Sequence, residues 1–130
     1  MEPLIERMKI LLATQFAFYL KLHFFHWNVT GSNFPQYHEL FEELYTDVWE
    51  NVDTVAEHIR SIKGFAPGSF TRYMDMSMIK DQIDVTPAEA MLNEALQDNQ
   101  IMLDQLNITY RAAEQAGEIG LANFIQDRII

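Results

Sequence analysis

Residues 35–64, PQYHELFEELYTDVWENVDTVAEHIRSIKG, decide how this chain folds. Apolar groups recur there at Phe41, Leu44, Val48, Val52, Val55, Ile59 and Ile62, the three-and-four spacing of one face of an α-helix. Pro35 suits the first turn, and Gly64 suits the position just past the end, so the pattern predicts one long helix reaching about Lys63. Beside the apolar seam runs a second stripe, His38, Glu42, Tyr45, Trp49, Asp53 and Arg60. Its aromatics lie in the middle and its metal-ligand types towards the ends. A stripe of that kind is expected on a helix that packs against its own symmetry mate, with the twofold axis near Tyr45.

The ligand types extend to the preceding helix. His26, His38, Asp53 and Glu57 follow the spacing His-x11-His-x14-Asp-x3-Glu. All four are hard or borderline ligands suited to a divalent first-row metal such as iron. On a helix Asp53 and Glu57 are i and i+4 neighbours and can close on one ion. His38 precedes Asp53 by fifteen residues, roughly 22 Å along a helix axis. One chain therefore cannot bring all four together, whereas an antiparallel twofold partner sets its Asp53 and Glu57 opposite this chain's His38 and creates two shared sites at once.

Outward from this segment the chain reads as all-α, with no alternating stretch long enough to argue for a sheet. A first helix is expected from about Pro3 to Trp27, carrying a stripe of Met8, Leu12, Phe16, Tyr19, His23 and His26. The turn Asn28–Asn33, with Gly31, reverses the chain. Residues 65–85 form a long connection with a short helix expected at Met74–Ile79, and a connection of that length suggests a crossover rather than a simple up-down bundle. Thr86-Pro87-Ala88-Glu89 reads as a capping box opening a third helix to about Gln115, with Met91, Ala95, Asp98, Met102, Leu106 and Tyr110 on one face. A short fourth helix runs from near Gly120 to Ile130. His23 and His58 read as packing residues, and Trp27 and Trp49 as core or interface anchors near the site.

Composition narrows the function. The 130 residues, 48% hydrophobic, supply one core and are expected to form a single domain over 1–130. With no cysteine, disulfide frameworks and thiolate metal sites are excluded, which fits a cytoplasmic protein. The apolar run Met8–Phe25 follows Glu2 and Glu6 and is broken by Gln15, Lys21 and His23, so neither a secretion signal nor a membrane span is expected. Nine basic against nineteen acidic residues give a net charge of -10, which favours cations and disfavours DNA. Neither chain end is rich in lysine or arginine, so DNA binding is not expected.

His26-Trp27-Asn28-Val29-x-Gly31, followed by Phe34, His38, Phe41, Glu43-Leu44-Tyr45 and Asp53-x-Val55-Ala56-Glu57, resembles the signature of the Dps family, the dodecameric mini-ferritins named as DNA-binding proteins from starved cells. The match is dense over residues 21–64 and compatible over 86–127. The resemblance implies a ferritin-like four-helix bundle with a long crossover between its second and third helices, assembled through twofold dimers into a hollow homododecamer. It further implies an enzyme, a ferroxidase, whose centre pairs His26 and His38 of one subunit with Asp53 and Glu57 of its mate. There Fe(II), one or two ions per centre, is oxidised by hydrogen peroxide or oxygen and stored as ferric mineral; zinc is able to take the same ligands. The family usually has an aspartate one turn after the second histidine, and here Glu42 stands in that place as a further metal ligand. Family members generally continue the fourth helix beyond the point corresponding to Ile130. The alternative implied by the resemblance is a non-catalytic structural or DNA-protecting assembly. The Glu-x-x-His pairs of ordinary ferritins are missing, since no histidine has a carboxylate three residues before it.

Overall fold

The first helix, α1 (Glu2–Asn28), is apolar around most of its girth because it is packed on from several sides. It contacts every helix from α2 to α5. The computed structural model describes residues 1–129, and in it α1 is followed by α2 (Phe34–Glu50), α3 (Val52–Ser61), α4 (Phe70–Met76), α5 (Ala88–Gln115) and α6 (Ile119–Ile129). The core joins Met8, Leu12, Leu22 and Phe25 of α1 to Phe41 of α2 and to Val55 and Ile59 of α3. Met91 of α5 and Ile125 of α6 complete it. Each large side chain removed from water here stabilises by roughly 1.5–3 kcal/mol. The expected all-helical bundle is present, with no strand among the described residues. Ile130, where the sequence ends the last helix, lies outside them.

Four local expectations are corrected. The helix expected over 35–63 is split at Asn51, because the Asn51 side-chain amide donates to the Asp47 carbonyl at 3.0 Å while its backbone N–H turns to Val48. That side chain competes for the bond the helix ladder would make. The short helix lies at Phe70–Met76 rather than 74–79: Ser69 caps it, accepting from the Arg72 N–H at 3.2 Å, and the Met78 N–H is drawn away to Thr14 Oγ1 at 3.1 Å. The capping box does not form. Pro87 itself occupies the N-cap of α5 with extended backbone, which puts Thr86 one residue too early. Leu44 leaves the core seam and is half-exposed, since Phe41, with Tyr45 and Val48 packed on it, closes the core there.

Two turns show why particular residues stand where they do. Gly31 takes φ 110°, closed to most side chains, and lets α1 fold back on α2. At the end of α3 the left-handed position belongs to Lys63 (φ 72°), and the following amide of Gly64 bonds the Ile59 carbonyl at 2.9 Å. Gly64 is needed for a different reason: a Cβ there would come within 2.7 Å of Ile5 Cγ2.

The crossover segment lies along α1. Tyr73 stacks on Phe16 at 4.8 Å, and the Lys21 ammonium reaches the Lys80 carbonyl at 3.1 Å. Lys21, only 4% exposed, also donates to Glu94 at 2.8 Å and sits 2.9 Å from Asp98, itself 3% exposed. One buried cation thus holds α1, α5 and the crossover together. Burial pushes the Asp98 carboxyl above its ordinary value, and the Lys21 charge partly offsets this. Between α1 and the crossover lies a groove of about 530 Å³ lined by Leu20, Phe24, Trp27, Met74 and Met78.

Candidate metal centre

The turn after α1 sets His26 against His38 of α2. Their imidazoles stack at 3.7 Å, and each Nδ1 lies within hydrogen-bond distance of the other's backbone carbonyl, His26 Nδ1 to His38 O at 2.7 Å and His38 Nδ1 to His26 O at 2.8 Å. A carbonyl can only accept, so both rings carry their proton on Nδ1, and in the neutral ring Nε2 is left with a free lone pair. These two bonds fix the orientation of a pair of ring nitrogens of the type that can bind a metal. Glu42, one turn after His38, brings a carboxylate oxygen to 3.9 Å from His26 Nε2. Donor atoms of His26, His38 and Glu42 all lie within 4.8 Å of one another.

Asp53 and Glu57 are brought together with each other but not with the histidines. They stand one turn apart on α3, both exposed. A hydrogen bond to Asp53, together with its charge, raises the Glu57 carboxyl above its ordinary value. Arg60 takes no part, being bonded to the Gly64 carbonyl at 3.0 Å and placed over the Phe65 ring. Neither acid has a basic side chain within ion-pair distance among the described residues.

Between the histidine pair and the acidic pair lies an aromatic surface. His23 stacks on Tyr45 at 3.9 Å and touches Trp27 at 4.0 Å, while Tyr19 contacts Trp49 at 4.7 Å. Trp27 is 59% and Trp49 50% exposed. Burial and the neighbouring His26 hold His23 below its ordinary value, and burial followed by the Tyr45 charge holds Tyr19 above its own. The Tyr19 hydroxyl lies 2.8 Å from His23 Nδ1. Sequence reasoning placed these residues on a packing stripe and missed the pair; its signal was the i, i+4 spacing of Tyr19 and His23. Lys21 appeared only as an interruption of an apolar run.

The bundle interior carries no comparable cluster among the described residues. A small cavity of about 100 Å³ there is bordered by Gln15, Val55, Met102 and Leu106 rather than by paired carboxylates and histidines.

Comparison with known proteins identifies the family of the fold. The ferritin-like domain family matches residues 5–130. An uncharacterised protein of Haemophilus influenzae is 36% identical over 127 residues, covering 97% of this chain and 79% of that protein. A DNA protection during starvation protein from Brevibacillus brevis is 34% identical over 107 residues, 82% of this chain and 72% of that one. The crystal structure of a Dps protein from Vibrio cholerae, described as a member of a broad superfamily of ferritin-like diiron-carboxylate proteins, superposes with a TM-score of 0.94 at 28% identity. It covers 98% of this chain and 80% of that chain. Matched along nearly its whole length by the ferritin-like domain, and similar in sequence and fold to proteins named Dps, the chain belongs to the Dps family of the ferritin-like superfamily.

Proposed function

We propose that this chain stores and detoxifies iron, oxidising Fe(II) at sites shared between twofold-related subunits and holding the ferric product inside a hollow shell of twelve copies. His26, His38 and Glu42 of one subunit, with Asp53 and Glu57 of its mate, would hold the iron substrate. The observation that carries this reading is the reciprocal pair of Nδ1-to-carbonyl bonds, which aims two Nε2 lone pairs at the surface beside Glu42. The acids that would complete the set lie exposed on α3, about four turns away. The half-exposed aromatics between the two halves are of the kind a partner subunit covers.

The donor set fits the chemistry. Carboxylates hold ferric more firmly than ferrous iron, and neutral imidazoles keep the site from becoming too anionic to release its product inward. Two Fe(II) ions giving one electron each reduce hydrogen peroxide to water without freeing hydroxyl radical; oxygen is the alternative oxidant, and zinc would compete for the same ligands. A formal charge of -10 gives duplex DNA no counter-charge, so DNA binding is not part of the proposal.

Subunit complementation tests the shared site. Shells of His38→Ala and shells of Asp53→Ala/Glu57→Ala are each expected to oxidise Fe(II) with peroxide little faster than buffer. In shells reassembled from equal amounts of both, half the twofold pairs are mixed and each mixed pair has one intact site, so activity should return to about a quarter of wild type. Mixed shells no better than their parents would show that the sites are not shared, and a wild-type protein no faster than buffer would overturn the function altogether.

A further inference from the structure

We propose that the cavity beside Gln15 in the bundle interior is a binding site for a small uncharged alcohol, whose hydroxyl pairs with the Gln15 amide while its hydrocarbon body fills the apolar remainder. The site is distinct from the candidate metal centre. Gln15 precedes His26 by eleven residues on α1, roughly 16 Å along the helix axis.

Two observations meet at Gln15. Its side chain is 6% exposed, and its Oε1 receives no hydrogen bond from any described residue. The same residue lines the cavity of about 100 Å³ enclosed by α1, α2, α3, α5 and α6. The rest of the inner wall is apolar, formed by Phe18, Val55, Met102 and Leu106, all buried. A buried carbonyl with no donor is a standing cost in such surroundings, and a ligand that brings a donor to it removes that cost. At the solvent end stands the Asp47–Arg128 ion pair, 2.9 Å long, which ties α2 to α6.

Size and polarity choose the ligand. A dry apolar cavity of about 150 Å³ takes benzene, so a space two thirds as large suits about four or five non-hydrogen atoms. Water fits by volume but is poorly held, since a buried water makes about three hydrogen bonds and the inner wall offers one amide. An ion would lose its hydration there with no buried counter-charge to replace it. A hydroxyl both donates and accepts, so a single such group satisfies the amide, and the hydrocarbon part covers Met102 and Leu106 with no polar atom left over. An amide ligand would bring more polar positions than the wall can pair.

The experiment takes the whole protein as purified, labels its methionine methyl groups with ¹³C, and follows them by methyl-TROSY NMR during titration with 2-methyl-1-propanol and, separately, under xenon. Met102 lines the cavity, whereas Met74 and Met78 report on the crossover groove instead. The alcohol should shift Met102 saturably, with a dissociation constant on the order of millimolar for so small a ligand. Gln15→Leu, which keeps the volume and removes the amide, should weaken the alcohol about tenfold and leave the xenon shift unchanged. Gln15→Met carries the same expectation should the leucine variant fail to fold. No saturable shift at Met102, a shift confined to Met74 and Met78, or equal alcohol affinity without the amide overturns the proposal. Xenon entering where the alcohol does not would reveal a purely apolar void, and overturns it as well.

Discussion

Replacing Lys21 with methionine removes one charge from the interior and little volume. The cost can be worked from what the ammonium leaves behind. Glu94 is partly exposed and can turn its carboxylate to water, but Asp98 is 3% exposed and cannot. A buried carboxylate stripped of its counter-charge costs about 3–5 kcal/mol. At a urea slope of roughly 2 kcal/mol/M this lowers the midpoint by about 2 M, measured at fixed protein concentration because assembly contributes to stability. The sign with pH follows from the direction of the Asp98 shift. Burial already lifts its carboxyl in the folded state, and the Lys21 charge pulls it back; without that charge the folded value rises further. A carboxyl whose folded value is raised favours the folded state when protonated. The deficit of Lys21→Met is therefore largest above the variant's folded value and shrinks as pH falls through it towards the unfolded one. Adding Asp98→Leu should recover most of the loss at pH 7. A cost below about 1 kcal/mol, or one that does not change with pH, would refute the view that Asp98 depends on Lys21.

Two further outcomes follow from the end of α3 and the acidic pair. Gly64→Ala should destabilise by about 1–3 kcal/mol because its methyl would collide with Ile5, whereas Lys63→Gly should stabilise by about 0.5–1 kcal/mol by relieving a left-handed lysine; thermal melts ranking them in the opposite order would contradict this. Glu57→Gln should raise the melting temperature of metal-free protein slightly at pH 7, where Asp53 and Glu57 repel, with the gain fading as pH falls into the carboxylate range and Glu57 takes a proton. In titration calorimetry the same variant should bind Fe(II) or Zn(II) more weakly, and unchanged affinity would remove Glu57 from the ligand set.

Relations between residues one or two turns apart are legible in the chain itself, because helical periodicity is local. The seam from Phe41 to Ile62, Leu44 apart, and the placing of Asp53 one turn before Glu57 follow from it. The distance from His38 to Asp53 is equally legible, since helix rise converts a residue count into ångströms, and it is what forces a second subunit into the reasoning. Competitions between near-equal local bonds are not legible. Asn51 bonding Asp47, Ser69 capping α4 and Pro87 displacing a capping box each turn on about 1 kcal/mol of hydrogen bonding that spacing does not rank.

The sequence by itself determined an all-helical chain and the residue types able to bind iron. Only the tertiary structure decided what those residues can do, because proton positions and charge pairing depend on neighbours distant along the chain. His26 and His38 became paired Nε2 donors through each other's carbonyls, twelve residues apart. Lys21 proved to be the clamp on Asp98, seventy-seven positions onward. Such long-range contacts leave no periodic trace, since burial in the folded core, and not chain spacing, sets their strength.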